Sequence, residues 1–124
     1  MNIPDNLYYT KDHEWVMIEN SIATIGITDY AQKELGDIIF IEFPPIGENY
    51  EYGEAMGTIE AVKTVADLFS PIRGSILEVN MKLEDDPTPV NTDPYESGWI
   101  IKLTNISNNG SELFASTDYR KFIH

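Results

Sequence analysis

Apolar residues recur along this chain mainly in short runs, several of them alternating with polar positions. The runs Trp15–Glu19, Ile22–Thr28, Ile38–Phe43, Ala55–Val62, Ser75–Met81 and Trp99–Leu103 are rich in Ile, Val, Phe or Trp. Gly, Pro, Asn or Asp bound them, which predicts β-strands. In the fifth run Leu77, Val79 and Met81 share one face and Glu78 and Asn80 lie off it, so this strand is predicted to bury its Leu77 side. Two segments break the pattern. Thr28–Gly36 reads as a short helix with Thr28 as N-cap, an acid in the first turn and Gly36 as terminator. Residues 111–123 read as a C-terminal stretch packed across the sheet as a lid, in which Ser116 caps a helix over Thr117–Phe122 and Arg120 and Lys121 sit near the helix end. Residues 44–49 and 84–94 read as loops, the second because three prolines and four acids do not fit a central strand. The predicted fold class is mainly β: a flattened barrel or sandwich of short strands with a short internal helix and a C-terminal helix.

Length and composition narrow this picture. A chain of 124 residues suits one core, and with no linker or repeat in view, residues 1–124 are expected to form a single domain. No apolar run approaches the roughly 18 to 20 residues of a bilayer-spanning helix. Met1–Asp5 lacks the order of a secretory signal, so a cytoplasmic location is expected unless a presequence was removed. The absence of cysteine excludes disulfides, thiolate metal sites and thiol nucleophiles, and His13 and His124 are too far apart in sequence to suggest a metal centre. A formal charge of −13 repels nucleic acid and anionic membranes, and it favours basic surfaces on protein partners.

The chemistry is concentrated between Gly57 and Gly74. Strand pattern leads into Lys63 and resumes after it, which puts the lysine at a hairpin tip with its amine in water. That amine can be acylated, which lengthens the stem and removes the charge, and a tip on a rigid scaffold is open to a modifying enzyme. Alone, such a lysine is most often a solvated charge. A Schiff-base enzyme using Lys63 with Asp67 as acid or base is disfavoured, because the lysine would need desolvation that a polar turn does not provide.

The flanks point to a more specific reading. Glu60-Ala61-Val62-Lys63 is followed by Asp67-Leu68, Ser70-Pro71 and Gly74. Further blocks are His13-Glu14-Trp15-Val16, Gly26-Ile27-Thr28-Asp29-Tyr30-Ala31-Gln32, and Asn91 to Trp99 with its Pro94-Tyr95-Glu96-Ser97-Gly98-Trp99. In this order, from residue 8 to about residue 103, they resemble the H protein family of the glycine cleavage system. The resemblance implies a fold of the lipoyl/biotinyl-carrier type, lipoate in covalent amide linkage on Lys63, and recognition of Glu60 and Gly74 by a lipoate ligase or lipoyl transferase. It also implies that Glu14 and Asp67 lie beside the loaded arm. His13 would orient Glu14, and Asp12 would add a carboxylate where many members have Ser. Gly74 is expected in a turn with positive φ in any case. The implied role is a non-catalytic carrier. It takes the aminomethyl group of glycine from glycine decarboxylase (P protein) to the aminomethyltransferase (T protein), and its dihydrolipoyl arm to dihydrolipoyl dehydrogenase (L protein). Alternatives are a relay that donates lipoate to other lipoyl domains, and the lipoyl domain of a 2-oxo-acid dehydrogenase complex, to which the His-Glu-Trp block does not belong. A biotinyl carrier usually has Met on both sides of its lysine, where this chain has Val62 and Thr64.

Overall fold

The short apolar runs pair into two antiparallel sheets. The computed structural model describes residues 1–108 and 111–124. Its strands are β1 (Tyr8–Tyr9), β2 (Glu14–Glu19), β3 (Ile22–Ile27), β4 (Ile38–Glu42), β5 (Asn49–Tyr50), β6 (Ala55–Ala61), β7 (Val65–Phe69), β8 (Arg73–Val79) and β9 (Ile101–Ser107). Its helices are α1 (Asp29–Leu35), α2 (Lys82–Asp85), α3 (Thr88–Thr92) and α4 (Ser116–Phe122). One sheet runs β1-β2-β3-β9-β8-β5 and the other β4-β6-β7. The expected mainly β architecture is therefore present as two open sheets with short helices at the margins. No helix among the described residues is long and apolar enough to cross a membrane.

Alternation places Val16, Ile25 and Ile101 of the larger sheet against Ile41, Ile59 and Leu68 of the smaller one, all of them buried. Each such side chain contributes roughly 1.5–3 kcal/mol relative to exposure. A second cluster joins Ile3, Leu7, Tyr9, Trp15 and Tyr119. Here α4 closes over β1, with Tyr119 stacked on Tyr9 at 4.7 Å between centroids, as a lid would.

Several local expectations fail for identifiable reasons. Ile76 is buried, whereas Leu77 and Met81 are 42% and 57% exposed. Register shifts opposite β9 at Arg73/Ser75 and Ile76/Glu78 break the period-two pattern, and Asn80 turns inward to donate to Ser97 O and Trp99 O. Residues 84–94 hold the second half of α2 and all of α3. Their prolines are accommodated because Pro87 is the N-cap of α3 and Pro89 lies in its first turn, where no N–H is needed. Ser116 does not cap α4. The N-cap is Ala115, and Ser116 Oγ instead donates to Asp5 Oδ1 at 2.8 Å, beside the Arg120–Asp5 ion pair.

Candidate functional site

Strands β6 and β7 run antiparallel up to the pair Glu60 and Val65. Ala61 N–H then donates to Thr64 O at 2.8 Å, leaving Val62 and Lys63 exposed at the apex. Val62 N–H donates to Asp37 O at 3.1 Å, which ties the apex to the turn between α1 and β4. Gly36 ends α1 with φ +79°, and a Cβ there would stand 3.4 Å from Lys63 Cε, so the lysine stem lies across this glycine. Asn91 of α3 holds the same turn from below. Its Oδ1 accepts from Ile38 N at 3.0 Å, and its Nδ2 donates to Gly36 O at 2.9 Å and to Gln32 Oε1 at 3.1 Å.

Beside α1 opens a cleft of about 290 Å³. Ile27, Ala31, Leu35, Ile59 and Ala66 form its apolar walls, and Asp12, His13, Glu14, Tyr30, Glu34 and Asp67 its polar ones. Helix α1 thus supplies a cleft wall and, at its C-terminal end, the seat of the Lys63 stem.

Glu14 is 1% exposed. Its Oε1 accepts from Thr10 Oγ1 at 2.6 Å and its Oε2 from Phe69 N at 3.3 Å, while its own N–H donates to Thr10 Oγ1 at 3.1 Å. Burial pushes its carboxyl up to about 8, the charge of Asp12 adds to this, and the bonds from Thr10 and Phe69 oppose it. Glu14 is therefore largely protonated at neutral pH. His13 adopts φ 67°, a left-handed backbone uncommon for a non-glycine residue, at the end of a turn closed by His13 N–H donating to Thr10 O at 3.1 Å. Its Nδ1 lies 2.8 Å from Tyr119 Oη, and its ring centroid 4.8 Å from that of Tyr30. Burial holds the imidazole below its ordinary value against the opposing charges of Asp12 and Glu34.

The fold gathers Asp12, His13, Glu14 and Asp67 in one cleft, with Lys63 beside the end of the helix that walls it. Glu60 lies outside it, half-buried on β6 between Phe40 and Val65 on the flanking strands. Gly74 is also elsewhere, and its expected positive φ is not found. It is buried within β8, where a Cβ would stand 3.0 Å from Thr104 O and 3.2 Å from Ile106 Cγ2, so close approach to β9 requires the glycine. Tyr30 and Glu34 belong to the cleft by α1 periodicity, since positions four apart share a helix face. Thr10 and Tyr119 act from other elements and carry no local sequence signal, and the sequence marks Asn91 only as the start of a block of family resemblance.

Residues 7–124 match the family described as glycine cleavage H-protein. The chain is similar to a glycine cleavage system H protein of Bacteroides thetaiotaomicron, with 57% identity over 103 residues, covering 83% of this chain and 82% of the relative. It is also similar to a probable glycine cleavage system H protein of Picrophilus torridus, with 48% identity over 121 residues, 98% of this chain and 96% of the relative. Among solved structures, it resembles the crystal structure of a glycine cleavage system H protein from Mycobacterium marinum. The TM-score is 0.89 at 37% identity, covering 96% of this chain and 97% of that one.

Proposed function

The chain belongs to the glycine cleavage H-protein family, whose members carry a lipoyl arm in glycine cleavage, and on that premise we propose that Lys63 holds lipoate and that the Glu14 cleft shelters its cargo. The observation that carries this reading is the shared use of α1: the helix that walls the cleft ends at Gly36, beneath the stem of an exposed hairpin lysine. The residues present fit the group. No ion pair engages Lys63 among the described residues, so acylation breaks none. The apolar walls suit an aliphatic chain, and the carboxyls suit an amine. When bound, lipoate supplies the sulfur chemistry and the reach between partner sites.

The protein's own part is positioning and proton control. Glu14, protonated while the cleft is empty, can pass its proton to an arriving neutral amine and become the carboxylate of a buried ion pair. Thr10 Oγ1–H and Phe69 N–H already donate to that carboxyl, so the charge forms on a prepared site. Asp67 and Asp12, both exposed, add negative charge around the cleft, and the apolar walls limit water. Glu60, three residues before Lys63 and half-exposed, is the group that a lipoate ligase or lipoyl transferase would read on the hairpin. Gly74 would contribute by letting β8 close on β9. We assign the protein no catalysis of its own. Its cytoplasmic partners would be the P, T and L proteins, and its charge of −13 suits basic docking surfaces on them. The test is peptide mapping by mass spectrometry after co-expression with a lipoate ligase. A lipoyl adduct on Lys63 is expected, and a consistently bare Lys63 under those conditions rejects the assignment.

A further inference from the structure

We infer that Tyr119 of the C-terminal helix is a positioning residue for the cleft: its hydroxyl, held between Thr28 Oγ1 and His13 Nδ1, locks His13 in the tautomer that carries its proton on Nε2. The inference deepens the proposed carrier function and rests on it only for its consequence, because the tautomer follows from counting protons.

Thr28 is completely buried, and its Oγ1 accepts from Ala31 N at 3.1 Å as the N-cap of α1. The same oxygen lies 2.8 Å from Tyr119 Oη, which lies 2.8 Å from His13 Nδ1. Two directions are open to this chain of three groups. If His13 Nδ1 carried the proton, it would donate to Tyr119, and Tyr119 would donate to Thr28. The Thr28 hydroxyl hydrogen would then be buried without an acceptor among the described residues, at a cost of about 1–3 kcal/mol. In the reverse direction Thr28 donates to Tyr119 and Tyr119 donates to His13 Nδ1, so both buried hydroxyl protons find an acceptor. His13 is then neutral with its hydrogen on Nε2, a nitrogen with no partner among the described residues.

That matters because the cleft is rich in acceptors. Asp12, Glu34 and Asp67 present carboxylates, and of the lining side chains only His13 and Tyr30 can donate beside Glu14; with Nδ1 taken up by Tyr119, the free donor of His13 is its Nε2–H. An amide-linked arm brings a carbonyl acceptor, which an Nδ1–H tautomer could not serve from Nε2. Helix α4 therefore reaches the arm through one hydroxyl, over 106 positions of sequence.

Long-range proton–nitrogen NMR on the unmodified chain tests this. The sequence holds two histidines, so His124→Gln leaves the His13 signals alone. Nδ1 is expected unprotonated and hydrogen-bonded with Nε2 protonated, and a protonated Nδ1 in the neutral ring overturns the inference without any other variant. Tyr119→Phe keeps the stack on Tyr9 and removes the hydroxyl, so the preference for Nε2–H should fall at least about threefold. An unchanged ratio counts against the lock. Thr28→Ser retains the hydroxyl relay and should reproduce the parent spectrum; a changed one argues against the proton count. In the lipoylated protein, Tyr119→Phe should also shorten the lifetime of the carried amine at least about threefold, the loss of one hydrogen bond. An unaltered lifetime removes the consequence for the cleft. If Lys63 never accepts lipoate, the proposed function fails and the tautomer result still stands.

Discussion

The two halves of the site are built in opposite ways. Lys63 stands at an exposed apex fixed by backbone hydrogen bonds at Ala61 and Val62, whereas Glu14 is 1% exposed and every polar atom of its carboxyl has a partner. On the function proposed above, Lys63 is an attachment point that another enzyme's active site must enter, so its side chain is left free. On the same proposal Glu14 lines a cargo site that must exclude water, so its carboxyl is buried and held. Separate sheets serve these demands: β6 and β7 present the lysine and β2 carries the acid. Helix α1 joins them. The contrast teaches that presentation and shelter can be altered independently unless the change falls on α1 or its supports.

The largest effect is expected at the exposed half. Lys63→Arg keeps the charge but removes the primary amine, so lipoylation and glycine turnover should fall to background. The melting free energy should stay within about 0.5 kcal/mol, as for a surface substitution away from packed groups. Intact mass and thermal melting check both arms, and retained turnover would separate presentation from Lys63 altogether.

At the sheltered half the effect is on stability and depends on pH. The Glu14 carboxyl titrates near 8 in the fold against 4.5 unperturbed. Between those values the folded protein holds a proton that the unfolded chain has released, so stability falls as pH rises. The stabilisation from this group is complete below about 4.5 and lost above about 8, with a swing on the order of 3–5 kcal/mol. Glu14→Gln removes that slope, so the variant should gain on the parent as pH rises from 5 to 9. Denaturant melts at a series of pH values measure this, and parallel profiles would mean that Glu14 is not the buried acid.

The same contrast governs what the sequence could reveal. The hairpin was legible because its signal is local: strand residues on both sides of Lys63, with Glu60 and Asp67 at short spacing. The cleft was legible in part. Glu14 and Asp67 were named through family resemblance, but the burial of Glu14 follows from β2 lying under α1 and β7, which no local pattern states. The Leu77 face was misread because bulges are invisible to a period-two count, and Gly74 because glycine serves close strand approach as well as positive φ. The roles of Tyr119 and Asn91 were missed because their hydrogen-bond partners lie 91–106 and 53–59 residues away.

Asn91 tests whether the joint between the halves is fixed by its support. Asn91→Ala strips partners from Ile38 N, Gly36 O and Gln32 Oε1, and leaving such groups unpaired costs about 1–3 kcal/mol. Because the turn it holds also receives Val62 N–H, hydrogen exchange at Val62 should speed up along with the fall in melting temperature. Loss of stability with unchanged Val62 exchange would mean that the hairpin apex is fixed from its own side.

The smallest effect is expected at the joint itself. Gly36 has φ +79° and ψ −157°, a region that is almost exclusively glycine's, so Gly36→Ala should cost about 1–2 kcal/mol through the backbone alone. Its new methyl would meet Lys63 Cε at 3.4 Å, an ordinary contact, and the amine Nζ only at 3.8 Å. The lysine stem is exposed and flexible, so it can move aside without leaving the apex. Melting temperature should therefore drop by several degrees, at roughly 4 °C per kcal/mol for a domain of this size. The initial rate of lipoylation should stay within about twofold, as expected when the reacting group keeps its exposure. A loss of modification far beyond the loss of stability would show instead that α1 controls how the lysine is presented, and the two halves would then act as one unit.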